Sequence, residues 1–143
     1  MLKGVPAVIS PELMYVLMKM GHGDEVVLAD GNFPADSSAQ RIVRADGFSV
    51  MDLLGPILQF FPLDDFEPPA YVMQPVDEVS PEPPIWSDFV RTLNEHADDT
   101  VELQRVERFA FYERSRAAYA IVATSETAIY GNLILKKGVI RAQ

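Results

Sequence analysis

The chain's 143 residues suffice for one compact domain with a single core and are too few for two well-buried ones. At 48% hydrophobic and 23% charged it has the composition of a packed globular protein, and its longest charge-free stretch, residues 53–63, falls short of the ~20 apolar residues a membrane span needs, which counts against a membrane partner. The net charge of −9 is uneven, with 18 acidic and 5 basic side chains in residues 1–102 but 3 and 7 in residues 103–143; that sign repels phosphate backbones and counts against nucleic acid, while the opposed halves suit packing within a subunit or between copies.

The chain starts Met1-Leu2-Lys3-Gly4-Val5-Pro6, one positive charge with no apolar stretch and cleavage site behind it. With no cysteine for disulfides, thiolate metal sites or nucleophiles, the expected location is cytoplasmic. Ser10-Pro11-Glu12 has the form of a helix start: a hydroxyl N-cap, proline at the first position and a carboxylate near the positive end of the dipole. Leu13, Val16, Leu17 and Met20 then recur at helical spacing, predicting a helix over 11–20 that Gly21 ends in a left-handed cap. Residues 25–29, short, β-branched and apolar, predict a strand buried on both faces, with Asp30-Gly31 at its end. Residues 30–40 read as a loop, 41–44 as a short strand, and 49–61 as an amphipathic helix interrupted by Gly55-Pro56 and stopped by Pro62.

A second apolar strand is expected over 70–76, then a proline-rich link and a helix over 85–96 with Trp86, Phe89, Val90 and Leu93 on one side. Residues 103–106 read as strand, 108–119 as helix, 120–124 and 132–135 as strands, with Gly138 a turn. Such alternation implies an α/β domain over 1–143 whose largely buried, at least partly parallel sheet has helices on both faces.

Three segments carry groups suited to chemistry. Gly21-His22-Gly23-Asp24 puts an imidazole on a turn between helix and strand, where it is either a proton shuttle or a group complementing a helix C-terminus. Asp30 stands where open α/β sheets place ligands, though Asp-Gly is also an ordinary turn pair. In Arg108-Phe109-Ala110-Phe111-Tyr112-Glu113-Arg114 the guanidinium of Arg108 and the phenol of Tyr112 are four apart and share a face, offering hydrogen bonds to a polyhydroxylated substrate, while Phe109 and Phe111 are read as core. Tyr130-Gly131-Asn132 supplies a phenol and an amide before the last strand, or simply a turn into it. With two histidines, no His-Glu-x-x-His helix, no dinucleotide fingerprint, no phosphate loop and no nucleophile elbow, nothing in the sequence asks for a metal or cofactor.

These segments, with Phe33-Pro34-Ala35, Arg44-Ala45-Asp46-Gly47 and the run from Tyr130-Gly131-Asn132 through Lys136-Lys137-Gly138, resemble the ribose pyranase and L-fucose mutarotase family nearly end to end. Phe-Tyr-Glu-Arg at 111–114 and Tyr-Gly-Asn at 130–132 are similar to its fucose branch. The resemblance implies a three-layer α/β/α sandwich with a mixed, largely parallel sheet, a ring-shaped homo-oligomer that is often a decamer, a monosaccharide site near subunit interfaces, and no cofactor. It makes His22 the proton donor and acceptor, gives Tyr112 a catalytic or binding role, and carries sugar binding onto Asp30, Arg108, Tyr130 and Asn132, with Asp64 and Met73 matching positions near the sugar in some members. The expected reaction is anomer interconversion. The rivals are a pyranase acting on ribose and a sugar-binding protein without turnover. Residues 74–100 are the least family-like.

Overall fold

A computed structural model of the protein describes residues 1–77 and 81–143, so the proline-rich link falls partly outside the described residues. Its elements follow the predicted alternation: α1 Pro11–Lys19, β1 Glu25–Ala29, α2 Ala35–Ser38, β2 Ile42–Ala45, α3 Val50–Leu58, β3 Ala70–Met73, α4 Ile85–His96, β4 Gln104–Val106, α5 Arg108–Ala117, β5 Ala120–Thr124 and β6 Leu133–Lys136. The strands form one sheet in the order β2-β5-β1-β6-β3-β4. β5 runs parallel to both β1 and β2, and β4 parallel to β3, whereas β6 is antiparallel to its neighbours β1 and β3. The sheet is therefore mixed, and the carboxyl ends of β1, β2, β3, β4 and β5 share one edge with the amino end of β6.

Side-chain alternation along β1 builds the layers. Val26 and Leu28 join one apolar cluster with Leu13 and Leu17 of α1, Leu53 and Ile57 of α3, and Phe89 and Leu93 of α4. Val27 and Ala29 face the other way, into a cluster with Phe33, Ala35 of α2 and Phe111 of α5. The result is the three-layer α/β/α sandwich, its central strand buried on both faces as the apolar run predicts.

Local chemistry explains the boundaries. The Ser10 hydroxyl accepts the Leu13 N–H at 3.1 Å, capping α1. Met20, in extended conformation, ends that helix, and the expected left-handed glycine is Gly23 (φ 85°) rather than Gly21, whose N–H is instead bound by the Asp24 carboxylate at 2.7 Å. The expected loop at 30–40 contains the single turn of α2. Gly55-Pro56 does not interrupt α3: a capping box between Ser49 and Asp52 fixes its start, and Leu53, Leu54 and Ile57 are fully buried. Burial worth about 1.5–3 kcal/mol per large side chain outweighs the roughly 3 kcal/mol that an interior proline costs.

β3 stops at Met73, short of the expected 76, because Pro75 cannot continue a ladder, although the Gln74 N–H still reaches the Val106 carbonyl at 2.7 Å. In α4, Trp86, Phe89 and Leu93 are buried as expected, but Val90 is 36% exposed at the rim. In α5, Phe111 fills the core and Phe109, two residues and so about 200° earlier around the helix, is 63% exposed beneath the Arg108 guanidinium, contrary to its reading as core.

Candidate active site

At the amino end of the sheet the turn before β1 carries His22. Gly23 there adopts the left-handed conformation, and its N–H donates to the Lys137 carbonyl at 2.8 Å, pinning the turn to the end of β6. His22 Nε2 lies 3.1 Å from Asp64 Oδ1; the imidazole is 44% exposed and the Asp64 side chain 3%. Asp64 also accepts the backbone N–H groups of Phe66 and Glu67, each at 3.3 Å. Burial pushes its carboxyl up, but the hydrogen bonds from His22, Phe66 and Glu67 together outweigh that and hold it below the ordinary carboxylate range. An ionised carboxylate has no proton to give, so Nε2 is the donor in this bond and, in the neutral imidazole, Nδ1 is the acceptor nitrogen. The Phe66 ring, 5.2 Å from the imidazole, covers one side. A hollow of about 610 Å³ adjoins Asp64 beneath the ends of α3 and α4, bordered by Asp65, Phe66, His96 and Arg141.

The carboxyl end holds the other candidate residues. The Asp30 N–H donates to Asn132 Oδ1 at 2.7 Å, and Asn132 Nδ2 returns a bond to Asp30 Oδ2 at 3.0 Å. The Asn32 N–H adds a third bond, to Asp30 Oδ1, at 3.0 Å. Burial nonetheless raises the proton affinity of Asp30 above the ordinary range, helped by the nearby Glu126 carboxylate. Tyr130 has φ 57°, a left-handed conformation costing about 1–2 kcal/mol, and its phenol oxygen and carbonyl are both engaged by hydrogen bonds. Gly131 is required next to it, since a Cβ there would stand 2.9 Å from both the Ala128 carbonyl and Glu126 Cγ. Met73 is buried at the end of β3, and Tyr112 and Tyr130 pack against its cluster. Arg108 opens α5, and Tyr112, one turn along, lies ring to ring with Phe33 at 5.6 Å. A hollow of about 290 Å³ opens beside Asp30, between Phe33, Pro34, Arg44 and Thr124.

The candidate residues thus form two groups, His22 with Asp64 and Asp30 with Asn132, Tyr130, Met73, Arg108 and Tyr112. Between Asn132 and Lys137 runs the length of β6, which at about 3.3 Å per residue sets the two groups roughly 17 Å apart within one chain. Sequence reasoning missed Glu126. It is 9% exposed; its carboxylate accepts the N–H groups of Val50 at 3.1 Å and of Thr127 and Ala128 at 3.0 Å each, while its carbonyl accepts the Gly31 N–H at 2.8 Å. It therefore joins the loop bearing Tyr130 both to Gly31, next to Asp30, and to the start of α3. An acidic residue just past an apolar strand was the available signal, but nothing local announces a helix start 76 residues away.

The fold thus presents a carboxylate-held imidazole at one edge of the sheet and a cradle of hydrogen-bonding groups at the other. Residues 3–140 match the RbsD / FucU transport protein family, and the chain belongs to that family. It is 51% identical over 145 residues to the fucose mutarotase of Danio rerio, covering 97% of this chain and 94% of that protein. The L-fucose mutarotase of Histophilus somni (strain 2336) is 46% identical, covering 97% of each chain. Among solved structures, the fucose mutarotase from Streptococcus pneumoniae in complex with L-fucose superposes with a TM-score of 0.92 at 45% identity, covering 98% of this chain and all of that one. Bacillus subtilis RbsD complexed with D-ribose superposes at 0.73 with 18% identity over 99% of this chain and all of that one, a likeness of fold alone.

Proposed function

We propose that the protein is an L-fucose mutarotase, an isomerase that interconverts the α and β anomers of the sugar without a cofactor, acting as one domain over residues 1–143 in the cytoplasm. The observation that carries the reading is the His22–Asp64 pair: a half-exposed imidazole held at 3.1 Å by a buried carboxylate, on a chain about half identical to fucose mutarotases over nearly its whole length. Mutarotation removes the proton of the anomeric hydroxyl, protonates the ring oxygen as the ring C–O bond breaks, and recloses the resulting aldehyde on its other face. Protons are only moved, and the reaction already proceeds in water, so a positioned shuttle worth about 10²–10⁴-fold suffices.

In this mechanism His22 Nδ1 moves one proton while Asp64 stabilises the imidazolium. Tyr112, or a water it holds, serves the other oxygen. Asp30, Asn132, Arg108 and Tyr130 hold sugar hydroxyls, with Met73 beneath them. The roughly 17 Å between the two groups supports a composite site in which the His22 turn of one copy faces the Asp30–Asn132 cradle of another. A closed ring of such contacts, a decamer, is the assembly we propose. Phe66 and Ile140 at the amino end, and Phe109 and Ile129 at the carboxyl end, are 63–83% exposed and suit such contacts.

The test is NMR saturation transfer between the α and β signals of L-fucose with and without the protein, with D-ribose as comparison. Faster fucose exchange that is lost in His22→Ala supports the reading. Faster conversion between ribose ring forms with fucose unaffected moves the protein to the pyranase branch, and line broadening with unchanged exchange for both sugars leaves a binding protein without turnover.

A further inference from the structure

The stretch that follows β3 meets Tyr130 from two sides. The Val76 N–H donates to the phenol oxygen at 3.0 Å, and the indole Nε1–H of Trp86, near the start of α4, donates to the Tyr130 carbonyl at 3.1 Å. Tyr130 is the only residue other than glycine with positive φ among the described residues, and such a conformation persists only where its surroundings over-determine it. Trp86 is 1% exposed, so its N–H has no water to fall back on. The Arg105 guanidinium lies over its ring at 5.0 Å and is tied to Glu82 at 2.7 Å, which closes the outer side.

We propose that Trp86 is a positioning residue of the sugar site: together with the Val76 N–H it locks Tyr130 so that the phenol meets the sugar as a hydrogen-bond donor of fixed direction. The inference rests on Tyr130 being a sugar contact. Its logic is one of valence. A phenol carries one O–H and two lone pairs. Val76 N–H occupies a lone pair and cannot accept the phenol proton, so the O–H must point elsewhere, and accepting one bond strengthens the donor through polarisation. With the carbonyl pinned by Trp86, the donor's direction is set from the backbone. Sugars presenting a lone pair at that point are favoured over epimers that do not.

Trp86 is the sole tryptophan, so global incorporation of β-(3-benzothienyl)alanine replaces its N–H alone while keeping the bicyclic ring. The expected result is an L-fucose KM raised about tenfold, the loss of one buried hydrogen bond, with kcat for anomer exchange retained. Because the effect passes through Tyr130, it should vanish in a Tyr130→Phe background. An unchanged KM, or an equal rise in that background, overturns the proposal. If Tyr130→Phe alone leaves the fucose KM unchanged, Tyr130 is not a sugar contact and the inference falls with that reading; if the wild type does not exchange fucose, the functional reading itself falls. Should the substituted protein not fold, the single indole ¹⁵N–¹H resonance of the wild type decides: it should shift on adding L-fucose and stay fixed in Tyr130→Phe, and a resonance unmoved in the wild type overturns the proposal.

Discussion

At the amino end of the sheet a buried carboxylate, anchored by two backbone N–H groups, makes one bond of 3.1 Å to an exposed imidazole, whereas at the carboxyl end Asp30, Asn132, Glu126 and Tyr130 each make at least two hydrogen bonds. The first arrangement leaves the second imidazole nitrogen without a hydrogen bond among the described residues. The second fixes donors and acceptors in place, as the proposed sugar cradle requires. A shuttle needs a group that can gain and lose a proton without disturbing its support, and a cradle needs the reverse. In the proposed mechanism these two tasks are separated by the length of a strand.

The sharpest way to break this comparison is His22→Ala. Loss of the shuttle should slow fucose anomer exchange by about 10²–10⁴-fold with the sugar's affinity and the circular dichroism spectrum little changed. A large loss of affinity with residual exchange intact would mean that the amino end binds and the carboxyl end does the chemistry. At the other end, Asn132→Leu removes both bonds that Asn132 makes to Asp30 and strands the Asp30 N–H. One buried unsatisfied group costs about 1–3 kcal/mol, so thermal unfolding should come several degrees earlier and fucose binding should weaken. An unaltered melting curve would show that the cradle is not held by this pair.

Both ends were partly legible in the sequence. Helix and strand order followed from periodicity, whereas His22, Asp30, Arg108 and the Tyr130-Gly131-Asn132 run were open to ordinary turn or helix readings by themselves and stood out through the family resemblance of the segments that hold them. What stayed hidden was long-range. Asp64 meets His22 across 42 positions and Glu126 meets Val50 across 76, and neither pairing leaves a local trace. Phe109 was misplaced because an aromatic on a helix is usually core, while here the helix turns it toward an arginine. Pro56 misled because an interior proline normally breaks a helix, and only the tertiary burial of Leu53, Leu54 and Ile57 explains why it does not.

A smaller effect probes how the Asp64 loop is seated. Gly138 packs so closely on the loop that a Cβ would lie 2.8 Å from the Leu63 carbonyl carbon and 2.9 Å from Asp64 Cα. Gly138→Ala must therefore push the loop away, which overpacking of this kind makes destabilising by about 1–3 kcal/mol. Because Asp64 moves with the loop, exchange should slow while Trp86 fluorescence, reporting the far end, stays as in the wild type. If both change together, the two ends are mechanically coupled and the comparison fails.

The smallest effect is one of sign, and it separates the ends without any substrate. Asp64 is held below the ordinary value of 3.8 and Asp30 above it. A carboxyl whose proton affinity is lowered by folding stabilises the native state fully above 3.8, and that contribution is lost as pH falls through its lower folded value. A carboxyl whose affinity is raised opposes folding when ionised, and that opposition is relieved as pH falls from its folded value toward 3.8. On acidification the carboxyl end should therefore gain stability first, and the amino end lose it afterwards. Urea midpoints measured from pH 7 to pH 3 check this as differences from wild type, which cancel the other carboxylates. Asp30→Asn should remove a contribution that rises with acid above 3.8, and Asp64→Asn one that falls with acid below it. Difference curves of the same sign would mean that the two carboxylates sit in equivalent environments, leaving proton handling and ligand holding without the electrostatic distinction on which their separation rests.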